Sequence, residues 1–154
     1  MCSSDLGLKP GVMIEVPSAA LLAHRMLEVV DFLSIGTNDL TQYTMAADRM
    51  ATDLAHLTDA WQPAVLHLIA ITAEAGKQAG KSVGVCGEAA ADPLLACALE
   101  GMGVTSLSMA AAAVRPVGAQ LSSVTSTQCE DAAEAALAAS DPAAARAAVR
   151  AVLG

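Results

Sequence analysis

Residues 29–49 read VVDFLSIGTNDLTQYTMAADR, and the fold depends on how this stretch is taken. A mostly apolar run over 29–35 stops at Gly36, and Thr37, Asn38 and Asp39 follow at once. Arg49 stands ten residues beyond Asp39. A strand that ends this way carries a carboxamide and a carboxylate at its tip, where α/β proteins place their ligands. Taken alone, the corner is either a ligand site or a turn.

The same grammar recurs on both sides. In GVMIEVPS (11–18) a short apolar strand over 12–14 is followed by Glu15, and Pro17-Ser18 break it and can start a helix. Residues 19–30 have the spacing of a helix, and 31–35 form the second strand. Trp61-Gln62-Pro63 opens an amphipathic helix that ends near 76–80, and 81–85 is a third strand closing on Cys86-Gly87-Glu88. Asp92-Pro93 starts a helix over 94–99, Gly101 and Gly103 end it, and 104–109 is a short fourth strand. Apolar strands alternating with amphipathic helices imply a parallel sheet with helical cover.

Each strand carries its unusual residues at its C-terminal end: Glu15, then Asn38 and Asp39, then Cys86 and Glu88, then Ser108. That placement marks the catalytic face of a (β/α)8 barrel, although a doubly wound sheet shares it. Four strands cannot close a barrel. The expected fold is therefore α/β, the C-terminal half of a (β/α)8 TIM barrel over 7–128, with alanine-rich C-terminal helices packed on it over 129–154. The chain is expected to turn helical again after Arg115-Pro116, and Asp141-Pro142 to split the tail into two helices. Acidic residues early and Arg146 and Arg150 late suit the helix dipole. The tail reads as outer packing without chemistry.

The composition narrows the classes. The 154 residues are 55% hydrophobic and 16% charged, with a mean hydropathy of +0.51. No apolar run reaches the ~18 residues that a membrane span needs. A net charge of −8 argues against nucleic acid, which calls for a basic stripe. Cys2, Cys86, Cys97 and Cys129 are widely spaced, which fits free thiols in a reducing, cytoplasmic compartment better than disulfides or a zinc site. The opening MCSSDL resembles one frame of a sequencing-adapter sequence, so residues 1–6 are expected to be an artefactual or disordered start ahead of a truncated reading frame.

Five residues can carry chemistry. Glu15 and Asp39, on adjacent strand tips, can share a hard divalent ion or can be capping carboxylates. Cys86 can be a nucleophile or proton donor, or an inert buried thiol. Arg49 can grip phosphate or carboxylate bidentately, or pair with Asp48 or Asp53 at the surface. Asn38 shares the corner with Asp39.

GVMIEVPSAAL, DFLSIGTNDLTQYTMAADR and GVCGEAAADP together resemble, in order, the motifs of the phosphoenolpyruvate-utilising barrel enzymes. That family includes enzyme I of the sugar phosphotransferase system, pyruvate phosphate dikinase and phosphoenolpyruvate synthase. SIGTNDLTQYTMAADR and the SLSM strand look most like the enzyme I branch. The resemblance implies Mg2+ held by Glu15 and Asp39, phosphoenolpyruvate contacts from Asn38 and Arg49, and Cys86 as the acid that protonates C3 of the enolate to give pyruvate. It further implies a histidine phosphocarrier protein as partner through a separate N-terminal domain, and a homodimer formed by the barrel. Catalysis by these 154 residues alone is not expected, because the other four strands supply further arginines. Competing expectations are a piece of the dikinase or the synthase, and a non-catalytic, self-associating half-barrel.

Overall fold

The computed structural model describes residues 7–154, so the expectation for 1–6 lies outside the described residues. Four parallel strands, β1 (Gly11–Ile14), β2 (Phe32–Gly36), β3 (Ser82–Cys86) and β4 (Ser106–Ser108), lie side by side in chain order. The register pairs Ile14 with Ile35, Ile35 with Val85, Gly36 with Cys86, and Cys86 with Ser108. All four C-terminal tips therefore lie at one edge. Parallel neighbours in sequential order, each pair joined by a helical connection, make this part of an α/β barrel, as expected.

The helices are α1 (Pro17–Leu21), α2 (Ala23–Met26), α3 (Thr37–Met45), α4 (Pro63–Ala79), α5 (Glu88–Ala91), α6 (Pro93–Gly101), α7 (Ala111–Ser122), α8 (Ser126–Leu137) and α9 (Pro142–Leu153), with a 3₁₀ turn at Thr52–Leu54. Alternation along the strands sends Ile14, Leu33, Ile35, Val83 and Val85 towards these helices, where all five are buried. They pack with Leu66 and Ile69 of α4 and Leu95 and Leu99 of α6 in one core. The alternate residues, including Met13, Phe32, Ser34, Gly84 and Ser106, line the other face, where Met13 is 45% exposed and Phe32 38%. The strands are thus alternating rather than continuously apolar, because only one face is covered by helices. The alanine tail continues the helical layer, α8 packing on α6 and α9 on α8.

Several local expectations are corrected. The single helix expected over 19–30 is two short helices, and α2 ends at Met26. Lys81 Nζ donates to Leu27 O at 2.6 Å and to Val30 O at 2.7 Å, so a side chain beside β3 satisfies the carbonyls of this turn. The polar corner after β2 is no loop, because α3 starts directly at Thr37. Asn38 and Asp39 fall in its first turn, where an acidic side chain suits the positive helix end. Helix α7 begins at Ala111, before Pro116 rather than after it. Pro116 removes one interior hydrogen bond, but its ring is exposed and the helix runs through. Helix α8 begins at Ser126, where Thr125 and Gln128 close a capping box.

Candidate active site

At the end of β3 the chain passes through Cys86, Gly87 and Glu88. Gly87 has φ +104° and ψ −160°, a conformation that essentially only glycine adopts. A Cβ there would lie 2.8 Å from Thr37 Oγ1 and 2.9 Å from Asn38 Oδ1. The corner is that tight because α3 grips it from the neighbouring tip. Thr37 Oγ1 donates to Cys86 O at 2.9 Å, and the Glu88 N–H donates to Asn38 Oδ1 at 3.2 Å. With its carbonyl oxygen so engaged, the Asn38 amide group keeps its N–H donors for another partner.

Cys86 is half-buried at the tip of β3. Its Sγ accepts from Ser34 Oγ at 3.9 Å and donates to Ile35 O at 3.5 Å. These two weak contacts hold the thiol at the strand tip, where it remains partly accessible. Cys97 and Cys129 differ: both are fully buried between α6 and α8, and both thiols are pushed up. Burial is the main cause, and with the nearby Glu100 it takes Cys129 to about 12.

Glu15 follows Ile14 and lies across Gly36. A Cβ on Gly36 would meet its Cγ at 2.9 Å and its Oε1 at 3.1 Å. Among the described residues its carboxylate accepts no hydrogen bond and makes no ion pair, although it is only half exposed. Asp39 pairs with Arg49, Oδ1 to Nη1 at 3.8 Å, with side-chain exposures of 36% and 47%. Arg49 therefore pairs with neither surface carboxylate named for it, Asp48 nor Asp53. A pair this long and exposed contributes at most ~1 kcal/mol, so the guanidinium is poised rather than locked. Asn38, Arg49, Met50, Thr58 and Glu88 line a cavity of about 340 Å³ beside it.

A divalent metal has two carboxylates available at adjacent tips, Glu15 and Asp39. No group of three or more metal-ligating side chains occurs among the described residues. Hard oxygen ligands in that number, one of them without a protein partner, fit magnesium, which draws its remaining ligands from water and substrate.

Sequence reasoning placed Thr37 and Glu88 at the strand ends without giving either a role, and passed over Ser34, Gly87 and Gln42, whose Oε1 accepts the Arg49 N–H at 3.1 Å. Only Gly87, between a cysteine and a glutamate, carried a readable signal, since a glycine there frees the backbone to turn sharply.

Parallel strands with polar and ionisable groups gathered at their C-terminal tips define part of an α/β-barrel enzyme domain. Residues 2–126 match the family model described as PEP-utilising enzyme, PEP-binding domain. The chain is 60% identical over 150 residues to the phosphoenolpyruvate-protein phosphotransferase of Streptomyces coelicolor, covering 97% of this chain and 27% of that protein. It is 43% identical over 123 residues to the protein of that name in Bacillus subtilis, covering 80% and 22%. With the multiphosphoryl transfer protein of Rhodobacter capsulatus it shares 46% identity over 137 residues, covering 87% and 17%. The chain belongs to the PEP-utilising enzyme, PEP-binding domain family. It spans about a quarter or less of the length of these relatives.

Proposed function

We propose that these residues form part of the substrate site of a phosphoenolpyruvate-protein phosphotransferase, which moves the phosphoryl group of phosphoenolpyruvate to a histidine and releases pyruvate. The observation that carries this reading is the gathering of Glu15, Asn38, Asp39 and Cys86 at the C-terminal ends of three adjacent parallel strands, with Arg49 reaching Asp39 from the turn after α3, in a chain of this family.

The Asn38 amide N–H groups and the Arg49 guanidinium donate to phosphoryl oxygens, offsetting the charge that spreads over them during transfer. Glu15 and Asp39 would hold Mg2+, which would supply positive charge against the charge developing on the substrate. The Cys86 S–H bond then breaks as a C–H bond forms at C3 of the enolate, leaving pyruvate and a thiolate. The accepting histidine and the docking surface for a histidine phosphocarrier belong to a domain outside these residues. Action in the sugar phosphotransferase system, in the cytoplasm and as a homodimer completes the reading. No helix described is long and apolar enough to cross a membrane.

Of the five arginines, Arg49 is the one that pairs with a residue of the strand-tip corner, Asp39. The 154 residues alone are therefore expected to bind phosphoenolpyruvate weakly and not to turn it over. The test uses the full-length protein that contains them. Cys86→Ala should lower pyruvate formation by about 10²–10⁴-fold, the span of a positioned general acid, with substrate binding nearly unchanged. Turnover within tenfold of the parent would remove Cys86 from the acid role.

A further inference from the structure

The last helix reaches the rim of the site. Arg146, on α9, donates from Nη2 to Asp59 Oδ1 at 2.7 Å across 87 residues of sequence. Its guanidinium carbon lies 5.5 Å from the centroid of the Trp61 ring. The same Asp59 oxygen accepts the Trp61 backbone N–H at 2.9 Å. Trp61, only 1% exposed, donates from Nε1 to Asp92 Oδ2 at 2.8 Å. The other oxygen of Asp92 caps α6, accepting from Leu94 N at 3.0 Å and Leu95 N at 3.2 Å. Asp92 is also the residue on which α5 ends, and α5 starts at Glu88, two residues after Cys86.

These contacts form an unbroken series from Arg146 through Asp59 and Trp61 to Asp92 and the helix that follows the Cys86 corner. A second cavity, of about 410 Å³, adjoins the first, with Thr58 and Glu88 lining both. The corner is thus held on one side by Thr37 and Asn38 and on the other by this series. The second side depends on a residue near the C-terminus of the chain.

We propose that Arg146 is a positioning residue for the strand-tip site: by bracing Asp59 and Trp61 it holds Asp92, and through α5 it sets the placement of Cys86 and Glu88. It touches no substrate in this role. A partly buried charge-assisted bond resting on an aromatic face suits a fixed strut better than a mobile surface arginine would. The inference concerns the site read above as a phosphoenolpyruvate site, but its test needs no substrate, so either can fail without the other.

Trp61 is the only tryptophan, so its emission reports the strut directly. Alkylation of Cys86 by iodoacetamide, resolved by peptide mass spectrometry, reports the far end. Arg146→Ala should red-shift the emission and raise the Cys86 alkylation rate about fivefold, as local opening becomes easier. Arg146→Lys, which keeps the cation, should recover part of both effects. Arg150→Ala, on the same helix but outside the series, should change neither. Should Arg146→Ala disturb α9 itself, Asp59→Asn removes the receiving charge with the helix intact and should move both readouts in the same direction. A shifted emission with Cys86 reactivity within twofold of the parent would overturn the proposal. An equal response from Arg150→Ala would also overturn it.

Discussion

Asn38 and Glu88, fifty residues apart, meet where Asn38 Oδ1 accepts the Glu88 backbone N–H at 3.2 Å. A second bond lies beside it, since Thr37 Oγ1 donates to the carbonyl of Cys86, two residues before Glu88, at 2.9 Å. The first turn of α3 therefore sets both ends of the Cys86-Gly87-Glu88 corner. It also fixes the orientation of the Asn38 amide, with the carbonyl oxygen turned to the corner and the N–H groups away from that bond.

Asn38→Ala removes both functions. Loss of one partly exposed hydrogen bond should cost about 1 kcal/mol of unfolding free energy, read by urea denaturation of the 154-residue chain. In the full-length protein, a lost donor to a charged phosphoryl group should weaken phosphoenolpyruvate binding by about 10- to 100-fold. Unchanged affinity alongside the stability loss would reduce Asn38 to a structural clasp.

Gly87→Ala tests the corner from its backbone. A side chain at φ +104° is strained, and its Cβ would press on Thr37 Oγ1 and Asn38 Oδ1 at under 3 Å. Strain of this kind costs about 1–3 kcal/mol, and displacement of the two clasps adds to it. The melting temperature should fall by several degrees, about 2–4 °C for each kcal/mol in a chain of this size. A melting temperature equal to the parent's would mean that the corner relaxes without cost.

The strand tips were legible because each apolar run halts at residues with evident chemistry: Glu15, Asn38-Asp39 and Cys86. The corner between β2 and α3 stayed open between a ligand site and a turn, and the start of a helix there was not foreseen, because Asn, Asp and Thr favour turns and helix N-termini alike. The end of α2 was hidden because the carbonyls of the turn after it, at Leu27 and Val30, are satisfied by Lys81, more than fifty residues downstream, and helical periodicity carries no such information. Arg146 was taken as packing for a similar reason. Its partner Asp59 lies 87 residues away, and nothing in an alanine-rich helix marks one arginine as a strut.

The buried thiols predict a loss of stability in alkali. Burial pushes Cys97 and Cys129 up from 9.0, Cys129 to about 12. The folded chain keeps these protons while the unfolded chain releases them above pH 9, so the unfolded state binds fewer protons and gains as pH rises. The stabilisation is complete below pH 9 and falls from there towards pH 12, by up to about 1.4 kcal/mol per pH unit for Cys129. Cys129→Ala should be less stable at pH 7, yet its melting temperature should fall less steeply than the parent's between pH 9 and pH 11. Parallel curves would show that Cys129 ionises normally in the folded chain.

Ala46 closes α3 in the left-handed region, with φ 51° and ψ 39°, and is the only residue other than glycine with positive φ among those described. A Cβ makes that conformation cost about 1–2 kcal/mol, whereas glycine occupies it freely at a greater entropic loss on folding. The first effect exceeds the second at a helix C-terminus, so Ala46→Gly should stabilise the chain by roughly 0.5–1 kcal/mol and raise its melting temperature by about 2–4 °C. The site gives a second reason to examine this position. Ala46 begins the turn that carries Arg49, whose N–H is held by Gln42 Oε1 at 3.1 Å. If that bond places the arginine, Ala46→Gly in the full-length protein should keep phosphoenolpyruvate affinity within about twofold, while Gln42→Ala should lower it by about 5- to 10-fold for a lost bond of ~1 kcal/mol. A loss of affinity in Ala46→Gly together with higher stability would show instead that the rigidity of Ala46 sets the reach of Arg49.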